Sequence, residues 1–417
     1  MRLVLIILVV LTGFNQSDVE FYPIDGYAST GIRRLAYLED VKSGAIKNVT
    51  LLPGALKSMS EIRLNLTGDK GAEIKGIPET DPELQKAVNG LFSGLNPNYS
   101  VAVLDITENR QPRYAERKGS VGYQPGSVAK IIVATAFFHE LSNLYPHSFT
   151  KRQELLRGKI IKGGQWAMVD EHTVPFYNPE TRKLIKRTVQ PTDEFSLYEW
   201  LDHMLSVSNN GAASVVWREA ILMRVFKQDY PELTFEDSEA YFKQTPKTAL
   251  SDLAIEVANT PLRDLGITEE EWRVGRLFTR GAGTYIPGKG GSIGTPVGLM
   301  KYLIALEKGL VVDEASSLEI KRLLYMTDRR IRYASSPALA TAAVYFKSGS
   351  LYKCTPEEGY QCGKYLGNVD NFMNSVAIVE HADSTTYLVC LMSNVRKKNS
   401  ASDHHALASS IDRIIRR

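Results

Sequence analysis

The sequence predicts an α/β sandwich into which an all-helical part is inserted. Residues 100–105 form an apolar run typical of a buried strand, and strand patterns return near the end of the chain at residues 342–346, 374–380 and 386–392. Between the early strand and the late ones, apolar residues recur mainly at helical spacing. Strands on both sides of a helical stretch favour a sheet with a helical subdomain inserted between its strands.

The composition indicates a globular protein with no preference for polyanions. The chain has 417 residues, of which 43% are hydrophobic, enough to bury a core in one large domain or two ordinary ones. Its 50 basic and 47 acidic side chains give a formal charge of +3 and are spread along the sequence. This distribution provides no basic face, so we expect no nucleic-acid partner.

The amino terminus predicts export. Residues 3–11 are apolar and follow Arg2, a segment too short for an ordinary membrane-spanning helix but suited to the apolar part of a secretory signal. Residues 13–15 form a poor cleavage site, which leaves an uncleaved membrane anchor as the alternative for residues 1–13. We expect a periplasmic or otherwise extracytoplasmic location.

The rest of the chain divides into an extension and a main domain. Residues 14–79 mix turn residues with a strand-like alternation at 61–66, and no role is predicted for them. Residues 80–417 form the main domain, with insertions near 157–192, where glycines and prolines predict hairpins, and near 227–247. Helices are predicted from the N-cap Asp81 to residue 91, directly after Ser127, and at residues 195–205, 297–308, 315–326 and 401–415.

Three cysteines leave one pairing open. Cys354 and Cys362 can close a short disulfide loop in an oxidising compartment, or remain free thiols on a loop. Cys390 lies in the apolar run of a predicted strand and is expected to be buried.

No motif predicts a metal or a cofactor. Residues 283–290 approach a phosphate-binding loop but lack its final hydroxyl and a preceding apolar strand. His404 and His405 are adjacent, so on a helix they point about 100° apart and cannot bind one metal together. We expect both histidines at the surface.

Ser127 and Lys130 are the candidate nucleophile and base. They form an S-x-x-K pattern at the start of a long predicted helix, directly after a Gln-Pro-Gly turn. Three residues along a helix bring both side chains onto one face, and the helix N-terminus offers N–H groups to a developing oxyanion. A lysine acts as a base when burial and a second cation lower its pKa. The pattern alone is weak, because Ser148 to Lys151 repeats it without the glycine turn; we interpret that copy as surface.

Two later motifs complete a candidate site. Ser208 and Asn210 form an S-x-N pattern, in which the hydroxyl can relay a proton and the amide can bind a substrate carbonyl. Alone, this pattern is typical of a helix cap. Residues 347–350, Lys-Ser-Gly-Ser, lie at the end of a predicted strand and provide the expected second cation, hydroxyls for a carboxylate and an N–H for the oxyanion.

This ordered set of motifs resembles the family of class A β-lactamases and penicillin-binding proteins, the latter being serine DD-peptidases. The resemblance covers about residues 85–417. It implies an antiparallel five-stranded sheet flanked by helices, and a serine acyl-enzyme hydrolase acting on β-lactams, another small molecule or a peptidoglycan stem peptide. It also implies roles for the motif residues: Ser127 attacks, Lys130 and Ser208 transfer the proton, Lys347 organises charge, and Asn210, Ser348, Gly349 and Ser350 bind the substrate.

One departure from the family concerns release of the acyl group. Class A β-lactamases resemble one another in a glutamate, shortly before a Thr-Pro turn, that activates water. The matching segment here, residues 277–285, has no carboxylate, which favours a penicillin-binding DD-peptidase over a β-lactamase. An inserted loop that delivers Glu256 or Glu271 would restore the β-lactamase hypothesis. A non-catalytic cell-wall binding protein with the same fold is the third hypothesis.

A second departure concerns recognition of the substrate carboxylate. Asn374 stands on the strand after Lys347, where the family has an arginine. Lys397 and Lys398 are the candidates to supply the missing charge.

Overall fold

The computed structural model of the protein describes residues 25–47, 57–168, 170–325 and 330–417, so the signal peptide or anchor predicted at residues 1–13 lies outside the described residues. The strands are β1 (Tyr99–Asp105), β2 (Arg113–Arg117), β3 (Ile160–Lys162), β4 (Thr173–Asn178), β5 (Lys183–Thr188), β6 (Glu194–Ser196), β7 (Trp272–Arg273), β8 (Ile293–Gly294), β9 (Ala343–Lys353), β10 (Asp370–Glu380) and β11 (Thr386–Asn394). The α-helices are α1 (Gly26–Thr30), α2 (Arg33–Lys42), α3 (Asp69–Glu73), α4 (Pro82–Leu91), α5 (Lys130–Leu144), α6 (Phe149–Gly158), α7 (Leu197–Leu205), α8 (Asn210–Phe226), α9 (Phe235–Gln244), α10 (Lys247–Asp264), α11 (Arg280–Tyr285), α12 (Pro296–Glu307), α13 (Glu314–Tyr325) and α14 (Ala401–Ile415).

A five-stranded antiparallel sheet with the strand order β2-β1-β11-β10-β9 lies at the centre of the fold, which confirms the predicted sheet. Helices α4 and α14 pack against one face, and α12 and α13 pack against the other. The middle strands are therefore buried on both sides and read as apolar runs in the sequence. Strand β2 was not predicted, because this edge strand buries only Tyr114 and Ala115.

The helical part is inserted between β2 and β9 and is built around α5. Most of α5 is buried, because α7, α8, α10 and α13 surround it. The predicted helices at α7, α12, α13 and α14 agree with the structure to within two residues. The predicted N-cap is also confirmed, since Asp81 Oδ1 accepts a hydrogen bond from Leu84 N at 2.7 Å. Residues 157–192 contain the β4–β5 hairpin and β3, which pairs with β6 just beyond them, whereas residues 227–247 contain a 3₁₀ turn and α9.

The described residues of the extension, 25–47 and 57–79, pack against the main domain, and the strand predicted at residues 61–66 is wrong. These residues form turns in which Ile62 and Leu66 are buried, and this burial produces the alternating pattern without a neighbouring strand. Leu66 N donates to the Glu307 carbonyl at 3.0 Å. In α2, the guanidinium of Arg34 makes two hydrogen bonds of 2.6 and 2.7 Å to Asp202 of α7.

The cysteines follow one of the two predicted arrangements. Cys354 and Cys362 form a disulfide in the connection between β9 and β10, and Cys390 is a buried free thiol.

The prediction of two surface histidines at the C-terminus is wrong for His404. Its ring is fully buried against the sheet face of β10 and β11, with Nδ1 2.9 Å from Ser375 Oγ and Nε2 3.2 Å from Ser393 Oγ. The reason is its position on the packing face of α14, in register with the buried Leu407 and Ala408. None of the described helices has the length and apolar character needed to cross a bilayer.

Candidate active site

The candidate nucleophile lies on a tight turn that packs against the edge strand β9. Ser127 belongs to the 3₁₀ turn Gly126–Ala129, which leads directly into α5. A Cβ atom on Gly349 would lie 2.1 Å from the Pro125 carbonyl oxygen and 3.0 Å from Ser127 N, so the strand can approach only because this residue is glycine. Gly126 has a φ of +53°, and its own Cβ would lie 2.7 Å from Ser350 N. The backbone around Ser350 therefore lies directly against the turn that carries Ser127.

Lys130 connects the first two motifs. Its side chain is fully buried, and Nζ donates to Ser127 Oγ at 3.0 Å. The same amine donates to Asn210 Oδ1 at 2.7 Å and to the Ser208 carbonyl oxygen at 2.5 Å. The structure thus brings Ser127, Lys130 and Asn210 together as the sequence pattern predicts.

Ser208 lies between the two lysines of the site. Its Oγ is 2.8 Å from Lys347 Nζ and 3.3 Å from Lys130 Nζ. Ser208 has a φ of +64°, a strained conformation for a serine, in the turn that precedes α8. A chain of proton donors and acceptors therefore runs from the nucleophile through Lys130 to this hydroxyl and on to Lys347.

The second S-x-x-K pattern has a different role. Ser148 is the N-cap of α6, and its Oγ accepts a hydrogen bond from Lys151 N at 3.3 Å at an exposed position. The exposed position agrees with the surface interpretation, whereas the helix cap was not predicted.

The Lys-Ser-Gly-Ser motif lies in the middle of β9, not at the end of a strand. The prediction stopped at residue 346 because the next four residues are polar or glycine, although Lys347 and Gly349 are buried like the apolar residues before them. Lys347 to Ser350 line one wall of a cleft that also contains Ser127 and Ser208. The cleft continues past Asn210 into a larger part of about 670 Å³, a size suited to a small molecule or a short peptide.

The structure places a cation in the cleft that no sequence motif indicated, Arg332. It lines the cleft, is almost fully buried, and its guanidinium donates to the Gly349 carbonyl oxygen at 2.9 Å while lying 5.1 Å from the ring centroid of Tyr365. Burial lowers the pKa of Arg332 from its usual value. No sequence motif marks Arg332. Its position in the cleft depends on a left-handed backbone conformation, with a φ of +53°, which the residue types around it do not indicate.

The lysines expected to replace that arginine are engaged elsewhere. Lys397 pairs with Glu357 at 2.7 Å and Lys398 pairs with Asp403 at 2.6 Å. Asn374 does face the site region, where its Nδ2 donates to the Gln124 carbonyl oxygen at 2.8 Å. The suggestion that Lys397 or Lys398 supplies the charge is therefore wrong.

Neither glutamate proposed as a water-activating base reaches the cleft. Glu256 pairs with Arg224 at 3.1 Å and Glu271 pairs with Lys301 at 2.6 Å, and both lie outside the cleft lining. The cleft wall opposite β9 is instead formed by Val274, Arg276, Leu277 and Phe278.

The Phe278 ring comes close to the amine of the catalytic cluster. Its centroid lies 5.4 Å from Lys130 Nζ. Among the described residues that line the cleft, the only carboxylate belongs to Glu171, which is exposed at the rim.

Two further polar residues at the site were not predicted. His172 lines both parts of the cleft, and the buried Asp170 bonds both His172 and Asn210. The sequence carries no signal for them, since they come from the hairpin-rich insertion. Within the described ranges, no cluster of side chains could hold a metal ion.

Comparison with known proteins identifies the family. A model of the beta-lactamase enzyme family matches residues 83–416, and the chain belongs to that family. No curated protein matches the sequence. The fold and family together define the protein as a serine hydrolase.

Solved structures share this fold at low sequence identity. A mutant of PBP-A, in an acyl-enzyme complex with penicillin G, is 12% identical with a TM-score of 0.51, over 80% of this chain and 96% of that one. A class A beta-lactamase representative from Bacteroides cellulosilyticus is 14% identical with a TM-score of 0.50, over 81% and 98%. A beta-lactamase from Xanthomonas campestris is 16% identical with a TM-score of 0.51, over 80% and 97%.

Proposed function

We propose that the protein is a penicillin-binding enzyme of the DD-peptidase type. It forms an acyl-enzyme through Ser127 with β-lactams and with peptidoglycan stem peptides that end in D-alanyl-D-alanine, and it releases the β-lactam acyl group slowly. The support is a complete cluster for acylation beside a cleft wall, residues 274–278, that carries no carboxylate to act as a base for water.

Acylation follows from the hydrogen bonds around Ser127. Its Oγ attacks the carbonyl carbon of the substrate amide and passes its proton to Lys130 Nζ, which lies 3.0 Å away. The amides of Ser127 and Ser350 stabilise the oxyanion. As the C–N bond breaks, Ser208 gives its proton to the leaving nitrogen and is reprotonated from Lys130, at 3.3 Å.

Substrate binding uses the remaining groups of the cleft. Asn210 binds the amide of the acyl side chain, and the hydroxyls of Ser348 and Ser350 bind the substrate carboxylate with Lys347 and Arg332. Lys347 also donates to Ser208 at 2.8 Å, so the same cation links carboxylate binding to the proton relay.

The wall formed by residues 274–278 favours the DD-peptidase hypothesis over the β-lactamase hypothesis. Phe278 lies 5.4 Å from Lys130 Nζ, and the rim residue Glu171 is exposed to solvent. A water molecule beside the acyl-enzyme therefore meets an aromatic ring instead of a carboxylate base, and hydrolysis of a β-lactam adduct is expected to be slow.

The β-lactamase hypothesis is the second candidate, because the family model and several structural neighbours carry that name. A non-catalytic cell-wall protein is the third, and the intact contacts among Ser127, Lys130 and Ser208 argue against it. A location outside the cytoplasm belongs to the same proposal. It is supported by the apolar residues 3–11 and by the Cys354–Cys362 disulfide.

Labelling with a fluorescent penicillin tests the proposal. We expect one adduct on Ser127, located by mass spectrometry of the digested protein, and none in Ser127→Ala. The matched control is Ser148→Ala, which alters the second S-x-x-K pattern and should label at the wild-type rate. An adduct elsewhere, or no adduct on the folded protein, would refute the catalytic role.

The lifetime of that adduct separates the two enzymes. Persistence for many minutes supports the DD-peptidase, and release within seconds supports the β-lactamase. Glu171→Gln checks the sole described carboxylate of the cleft, and we expect it to leave the lifetime unchanged. A much longer lifetime in this variant would instead identify Glu171 as the base for water.

A further inference from the structure

A buried carboxylate, Asp170, lies behind the active site and has no part in the chemistry described so far. Its side chain is 4% exposed. It accepts hydrogen bonds from Asn210, from the backbone N at 2.5 Å and from the side-chain Nδ2 at 3.1 Å. The ring Nδ1 and the backbone N of His172 donate to the same carboxylate at 2.7 and 3.2 Å.

These contacts decide which way the Asn210 amide faces. Its Oδ1 accepts from Lys130 Nζ at 2.7 Å while its Nδ2 donates to Asp170, so an amine and a carboxylate hold the two ends of the amide. Only one of the two flipped orientations of the amide satisfies both partners. Nδ2 carries a second N–H, which remains for the carbonyl of a substrate amide.

The electrostatic setting keeps Asp170 in its charged form. Burial alone would raise the pKa of Asp170, but the hydrogen bonds and charge of His172 and the backbone N–H of Asn210 lower it below the usual value. Asn210 is also the first residue of the 17-residue helix α8, whose N-terminus favours a negative charge.

The chain on both sides of Asp170 is anchored. Before it, the Met168 carbonyl accepts from Gly281 N at 2.8 Å and the Trp166 carbonyl accepts from Thr279 Oγ1 at 2.7 Å. After it, the His172 carbonyl accepts from Asn209 Nδ2 at 2.9 Å. These hydrogen bonds hold the backbone on either side of Asp170, and so they help to fix the position of its carboxylate beside Asn210.

We propose that Asp170 is a positioning residue for acylation. It acts through Asn210, whose amide it holds in the orientation that Lys130 and the substrate both require, and it keeps the His172 ring at the wall of the cleft. This inference rests on the proposed function, because the role it assigns belongs to the acylation step.

Asp170→Asn in the full chain tests the idea. Asparagine keeps the size but presents an NH₂ group where the carboxylate accepted hydrogen bonds, so the Asn210 amide loses its orientation. We expect the second-order rate of labelling by fluorescent penicillin to fall by about 100-fold, as for a reacting group displaced by about 1 Å.

Asp193→Asn is the matched control. Asp193 also accepts a backbone N–H, from Gln190 at 2.7 Å, and pairs with a side-chain donor, Arg187 at 2.7 Å, but it does not line the cleft. Its labelling rate should equal that of the wild type.

A double-mutant cycle separates positioning from general structural support. If Asp170 acts through Asn210, then adding Asp170→Asn to Asn210→Ala slows labelling by less than about twofold. A further loss as large as in the wild-type background would overturn the inference. Thermal unfolding checks that each variant is folded, and Asp170→Glu, which moves the carboxylate by one methylene, replaces Asp170→Asn in the cycle if the latter does not fold.

The outcomes for this inference and for the proposed function are distinct. A wild-type protein that labels, together with an Asp170→Asn variant that labels equally fast, overturns the positioning role alone. A folded wild-type protein that does not label overturns the proposed function, and the positioning role with it.

Discussion

Lys130 and Lys321 are both completely buried, yet their hydrogen-bond partners are of different kinds. Lys321 Nζ lies 2.6 Å from Glu307 and 2.8 Å from Glu380, so two carboxylates surround this amine. Lys130 Nζ instead donates to neutral oxygens, those of Ser127, Ser208 and Asn210.

The difference shows what a buried lysine is suited to do. Carboxylate partners compensate an ammonium ion for its lost hydration, so Lys321 joins α12, α13 and β10 through its two ion pairs. Neutral oxygens compensate it less, so an amine among them can exchange a proton with a neighbouring hydroxyl. The partner atoms, more than the depth of burial, distinguish the catalytic lysine from the structural one.

Lys130→Met should give the largest effect on the reaction. Methionine keeps much of the length and the apolar stem but removes the amine, so Ser127 loses its base and labelling by penicillin slows by up to about 10⁴-fold. Thermal unfolding checks that the variant remains folded. Stopped-flow or gel-based labelling measures the rate, and a rate within threefold of the wild type would show that Lys130 is not the base.

Lys321→Met is the converse change. It leaves Glu307 and Glu380 buried without the shared cation, so we expect the free energy of unfolding to fall by about 3–5 kcal/mol. The labelling rate of the protein that stays folded should not change, because Lys321 does not line the cleft. Urea unfolding and penicillin labelling of the same sample check both parts. Slow labelling with unchanged stability would contradict the comparison.

His404 is a third buried base, and its partners, like those of Lys130, are neutral oxygens. Burial lowers the pKa of His404 to about 3, and its ring nitrogens lie against hydroxyls. The unfolded ring takes up a proton near pH 6.5, so the unfolded state binds more protons between these values and stability falls as the pH falls. Because of His404, the free energy of unfolding should fall by about 2 kcal/mol on going from pH 7 to pH 5.

His404→Gln should remove that part of the acid sensitivity. The variant is less stable at neutral pH, because the new side chain does not fill the buried space, but its free energy of unfolding should decline less between pH 7 and pH 5. Urea titrations at the two pH values give the difference. Equal declines in both proteins would show that His404 is not kept neutral by its surroundings.

The helices and strands that a local residue pattern defines were predicted well from the sequence. The apolar runs of β1, β10 and β11 and the helical spacing in α7, α12 and α14 were enough to locate these elements, because each is set by its own residues. The alternation at residues 61–66 misled, since Ile62 and Leu66 are buried in turns and the pattern reports burial rather than strand pairing.

The residues of the site also divide into those that a local motif identifies and those that only tertiary contacts identify. By itself, the sequence determined the motif residues from Ser127 to Ser350, because the chemistry needs fixed residue types at short spacing and in a fixed order. Only the tertiary structure decided that Arg332 lies beside Gly349 and that Asp170 bonds Asn210. These contacts join segments far apart in the chain or depend on unusual backbone angles, and no local pattern of residues encodes them.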